Sequence, residues 1–170
     1  MIKKVLFVAT FVLFPLGASA NCDLSVEHFR VLSQRILDRV YLQNTLGLKK
    51  PHLIVSNKNV KTYYAEELNG VITIYPKAFS DSYCDPYFDG LSPKVGEVIS
   101  HEYTHFIDEE LKLTKKIGAN DMEDTAYVGE HIFDDLLWHT GYTEKPLSKS
   151  DVKKYQKFMR VLEKARPKVQ

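Results

Sequence analysis

SPKVGEVISHEYTHFIDEEL, residues Ser92–Leu111, is the stretch on which the reading of this chain turns. Val95, Val98, Ile99 and Phe106 recur at helical spacing, so the segment reads as an amphipathic helix with one face in a core. Ser92-Pro93 supplies the start, an N-cap residue followed by proline in the first turn. Inside it lies His101-Glu102-Tyr103-Thr104-His105. Residues four apart on a helix share a face, so both imidazoles can reach one ion, with Glu102 beside them. Zinc takes nitrogen donors at roughly 2.0–2.1 Å in tetrahedral geometry, and two imidazoles supply half of that shell. A carboxylate next to such a site can accept a proton from water activated there. Three fixed residues can also fall together by chance on a solvated helix, but a half-buried helix has to satisfy its histidines, and a metal does so.

The helix sits in a chain of 170 residues that opens MIKKVLFVATFVLFPLGASA. Lys3 and Lys4, an apolar run from Val5 to Leu16 and Ala18-Ser19-Ala20 have the order of a secretory signal cut after Ala20. The apolar run is short for a membrane span, so no stable membrane anchor is expected. Cys22 comes soon after, but Asn21 is a poor neighbour for a lipidation signal. The expected organisation is a signal peptide over 1–20 and a single domain over 21–170, exported to the periplasm or secreted. Without Lys3 and Lys4 the 23 basic residues fall to 21 against 22 acidic, a net charge of −1. Nothing in that balance supports nucleic-acid binding, which calls for a clear basic excess. The lysine-rich stretch Lys149–Lys168 reads as a solvated helix face. Cys22 and Cys84, two cysteines in an exported chain, are expected to form a disulfide worth about 4 kcal/mol in the chain-entropy model.

Around the motif, a long helix is expected from Leu24 to about Leu46, stopped near Gly47. His52–Val55 and Val60–Tyr64 are short strand candidates. Asn69-Gly70 marks a turn into Val71–Tyr75, the best strand of the sequence, ended by Pro76. Ser80–Ser92 reads as loop, and Gly118-Ala119-Asn120-Asp121 breaks the chain before the next helix, which carries Ala126, Ile132, Phe133, Leu136 and Leu137. A last helix over about Asp151–Lys164 aligns Val152, Tyr155, Phe158, Met159 and Leu162. The class is α+β, with a small antiparallel or mixed sheet packed on the central helix and further helices after it.

The motif and its surroundings, over roughly Leu53–Leu137, resemble a zincin metallopeptidase of the gluzincin type. The resemblance implies a zinc (Zn2+) ion bound by His101, His105 and a glutamate from a second helix, with Glu102 as general base acting on a peptide or protein substrate. Glu123, eighteen residues after His105, is the expected third ligand. Ala126 is the small residue that would let the two helices pack closely, and Tyr127 stands where the family has an aspartate. An edge strand before the motif helix, here Val71–Tyr75, would bind extended substrate by strand addition. Asp108 stands where a metzincin has glycine and Leu111 where it has its third histidine, which excludes that pattern.

Other readings of the same residues stay open. Asn120 as N-cap with Glu123 as its reciprocal partner would explain both without a metal. Asp124, in Asp124-x-x-Tyr127, is the chief rival ligand, ahead of Glu130, His131 and His139. Either late histidine could hold an oxyanion, and His131 could close a structural, non-catalytic zinc site. The same site could also serve as an amidase on cell-wall peptide. Asp108 could orient a zinc histidine. Tyr103, Tyr63, Tyr64 and Tyr75 read by default as packing aromatics.

Overall fold

The computed structural model describes residues 26–44, 46–58, 60, 62–80, 93–138 and 147–167. The expected signal peptide, Cys22, Cys84, Ser92, His139 and Gly141 lie outside the described residues. Within them the fold is α+β, a three-stranded mixed sheet with six helices.

Helix α1 spans Val26–Asn44 and buries Phe29, Leu32, Ile36, Leu37 and Val40, the 3-4 spacing of one core-facing stripe. Strands β1 (His52–Val55), β2 (Ala65–Leu68) and β3 (Val71–Ile74) make a sheet of order β1-β3-β2. β1 pairs parallel with β3, and β2 forms an antiparallel hairpin with it. That hairpin corrects the expected strand at Val60–Tyr64. Asn69 and Gly70 both have positive φ, 52° and 78°, the two-residue turn that pairs Leu68 directly with Val71. The turn therefore draws Ala-Glu-Glu-Leu into the strand, although two glutamates are weak strand formers. β3 turns fully buried Ile72 and Ile74 inward.

Pro76–Ser80, expected to end a strand and begin a loop, is a short helix α2 with proline at its first position. Helix α3, Pro93–Leu111, is the motif helix; it lies between the sheet, α1 and α5. Its core face carries Val95, Ile99, Tyr103, Phe106 and Ile107. The chain first breaks at Lys112, which is left-handed at φ 55° and opens a separate helix α4, Leu113–Ile117; the expected break at Gly118, left-handed at φ 76°, then ends α4 before the next helix. Asp108 explains the break at Lys112. Its carboxylate accepts from the Thr114 backbone N–H at 2.6 Å and the Thr114 hydroxyl at 2.7 Å, so it caps α4 and is unavailable to a histidine.

Helix α5, Met122–Trp138, packs most extensively against α3. Ala126 is fully buried, and Gly129 marks a close approach to α3. A Cβ on Gly129 would stand 1.9 Å from Thr104 Oγ1, so only glycine allows this crossing. Helix α6, Lys149–Ala165, starts at the Ser148 cap and buries Phe158 and Leu162, with Phe158 edge-on to Phe133. Val152, expected on the same stripe, is exposed. No helix among the described residues is long and apolar enough to cross a membrane.

Candidate metal centre

His101 and His105 stand one turn apart on α3, their Nε2 atoms 3.0 Å from each other. Glu123, in the first turn of α5, approaches both: Oε2 lies 3.2 Å from His101 Nε2 and Oε1 3.4 Å from His105 Nε2. Two nitrogens and a carboxylate thus converge, all within 4.8 Å of one another, and this is the one such group among the described residues. Donors held tetrahedrally at about 2.0–2.1 Å from zinc are separated by roughly 3.3 Å, and the contacts found here, made by a different Glu123 oxygen to each histidine, lie near that spacing.

The choice between Glu123 and Asp124 rests on the start of α5. The cap is Asp121, whose Oδ1 accepts from the Asp124 N–H at 2.8 Å, while Asp124 Oδ2 accepts from the Asn120 N–H at 2.9 Å. Asp124, not Glu123, is the reciprocal capping partner, and Asp121 replaces Asn120 as the cap. Lys154 clamps Asp124 further, with Nζ 2.7 Å from both carboxylate oxygens. Glu123, with a side chain 74% exposed, keeps its carboxylate for the histidines. Tyr127 and His131 pack edge-on against each other outside the cleft, so neither reaches the site.

A cleft of about 570 Å³ opens over the group. Its walls include β2, the face of α3 from Glu97 to Glu109 with the histidine pair, and the first turns of α5. β2 is the edge strand beside the site; β3, expected there from the sequence, is central in the sheet. Seven glutamates line the cleft, at positions 66, 67, 97, 102, 109, 123 and 130, and none of the described lining residues is a lysine or arginine. Glu97, His101, His105 and Glu109 succeed one another at four-residue steps, so carboxylates flank the histidines along one helix face.

Glu102 is only 7% exposed yet lines this cleft. Burial pushes its carboxyl up to about 7; His101 opposes the rise, and the charges of Glu123 and Glu67 add to it. A Glu67 backbone hydrogen bond from the edge strand steadies its charged form. His101 is drawn down by burial, but the Glu130 hydrogen bond and surrounding carboxylates outweigh this and raise it. His105 is lowered by burial and by His101. Glu130, a weak ligand candidate from the sequence, is a partner instead: its Oε1 lies 2.5 Å from His101 Nδ1. Its spacing of seven from Glu123, two helical turns, is the signal in the sequence that points to this role.

No protein-family model, curated protein or solved structure matches this chain.

Proposed function

We propose that the protein is an exported zinc-dependent peptidase of zincin-like, gluzincin type. The observation that carries the reading is the convergence of His101, His105 and Glu123, with ligand atoms within 4.8 Å of one another, beside a buried Glu102 that lines an open cleft. Two imidazoles and one carboxylate are a catalytic rather than a structural zinc set, because they leave a position for water or substrate. Among the described residues no fourth donor joins them, and His131, the expected closing ligand of a structural site, is turned to Tyr127. Export rests on the signal-like order of Met1–Ala20.

Zinc held by the three side chains would polarise the scissile carbonyl and acidify water. Glu102 removes the proton of the attacking water and returns it to the leaving amine. Its burial beside the histidine pair places the carboxylate where it can make both transfers. The open edge of β2 offers backbone groups to an extended peptide. The glutamate-lined walls favour substrates with Lys or Arg close to the scissile bond.

The test is hydrolysis of quenched fluorescent peptides by zinc-loaded protein, with and without a chelator, for wild type and Glu102→Gln. Chelator-sensitive cleavage is expected, fastest for Lys- and Arg-containing peptides. Glu102→Gln should lose roughly 10²–10⁴ of it while keeping zinc. Undiminished cleavage by Glu102→Gln would remove the general base from the mechanism.

A further inference from the structure

We propose that Glu130 is the positioning residue of the metal centre, fixing the ring of His101 so that its Nε2 lone pair meets those of the other two donors. The inference rests on the zinc site proposed for His101, His105 and Glu123. A carboxylate can only accept, so the 2.5 Å contact from Glu130 Oε1 to His101 Nδ1 places a proton on Nδ1. In the neutral ring the lone pair is then left on Nε2, the atom that faces His105 Nε2 and Glu123 Oε2. An acceptor on the far nitrogen sets tautomer and ring orientation together, and it raises the ring's basicity as a ligand.

Four further observations assign this role to Glu130. Glu123 and Glu130 lie seven residues apart on α5, so one helix face supplies both ligand and brace. The residue next to Glu130, Gly129, is where the α5 backbone packs tightly on α3, against the Thr104 side chain. Backbone contact at that point holds the carboxylate at a fixed reach from His101. Tyr127, four residues after Glu123, packs on His131 and leaves the bracing task to the next turn. Asp108, the other candidate for this task, is consumed in capping α4.

The experiment compares wild type, Glu130→Gln and Glu130→Ala for zinc affinity, by competition with a chromogenic chelator. The His101 Nδ1–H resonance and the visible spectrum of the cobalt-loaded protein are recorded alongside. Glu130→Ala is expected to bind zinc roughly 10–100-fold more weakly, with the Nδ1–H signal lost and the cobalt spectrum altered. Glu130→Gln, whose amide oxygen still accepts from Nδ1, should recover much of the affinity. Should Glu130→Ala fail to fold, Glu130→Gln against wild type carries the test through the Nδ1–H shift. Equal zinc affinity and an unchanged Nδ1–H signal in a folded Glu130→Ala overturn the positioning role alone. Absence of zinc binding by the wild type overturns the metal centre and this role with it.

Discussion

Two polar clusters flank the crossing of α3 and α5, and they handle charge in opposite ways. In the corner formed by α4, α5 and α6, each acid has a partner from the protein. Asp108 is held by Thr114, whose hydroxyl meets that of Thr125 at 2.7 Å, and Asp124 is clamped by Lys154. In the cleft, seven glutamates and two histidines face one another, and none of the described lining residues is a lysine or arginine. Apposed acids raise the cost of every further negative charge. The corner is a finished structural joint. On the zinc-site proposal, the cleft is where a cation would be held.

Replacing a residue of the cleft should therefore change what the protein holds, and replacing one of the corner should change how firmly it folds. The largest effect is expected from His101→Ala, which removes one donor of the three. Zinc content should fall to background and hydrolysis with it, while circular dichroism stays that of the wild type. A His101→Ala protein that still carried stoichiometric zinc would erase the distinction between the clusters.

The two clusters should also respond to pH with opposite sign in metal-free protein. Glu102 has a folded-state pKa of about 7 against an ordinary 4.5, so the fold favours its protonated form. Stability is then lost as pH rises from about 4.5 through 7, on the order of 3 kcal/mol from this group. The raised His101 adds to the loss and the lowered His105 opposes it. Glu102→Gln isolates the carboxyl. Its melting temperature should exceed that of metal-free wild type at pH 8, with the gap closing by pH 5. In the corner, burial disfavours the charged Asp124 carboxylate, but Lys154 and the Asn120 N–H overcome this and lower its pKa. Its contribution is present above the ordinary range near 3.8 and lost as pH falls through the lowered value. A gap between Glu102→Gln and wild type that is the same at both pH values would rule out the buried carboxyl as the source of the pH dependence.

Gly129→Ala, at the crossing that joins the clusters, forces a Cβ into Thr104 and should cost roughly 1–3 kcal/mol in thermal or urea unfolding. Thr104→Ala in the same background should restore part of it, because the two nearest Thr104 atoms are removed. The smallest effect is expected from Asp124→Asn, about 1 kcal/mol of stability from a weakened Lys154 pair. Zinc affinity should be unaltered by that substitution, which a competition titration would check.

The central helix and its histidine-bearing face are legible in the sequence, through the amphipathic pattern of Ser92–Leu111 and the spacing of His101 and His105. Asn69-Gly70 announces the hairpin, and its geometry outweighs composition: a two-residue turn dictates that the four residues before it pair, whatever their propensity. Val60–Tyr64, more strand-like in composition, loses to that geometry. Glu123 is also legible, but the helix cap that competes for it lies one residue from where composition puts it. Capping depends on backbone dihedrals at Asn120 and Asp121, which composition does not report. Glu130 and the edge position of β2 are tertiary facts, set by which helix crosses which and which strand is left outermost. Gly129, an isolated glycine inside a helical pattern, is a visible sign of a close crossing.

The most direct test is the zinc stoichiometry and affinity of the purified protein beside its Glu123→Ala and Asp124→Ala variants, measured by elemental analysis and chelator competition. The expected result is one tightly held zinc per chain in the wild type and in Asp124→Ala, with a sharp loss of affinity in Glu123→Ala. Zinc held equally well by Glu123→Ala, or no zinc in the wild type after reconstitution, would contradict the metal centre described for His101, His105 and Glu123.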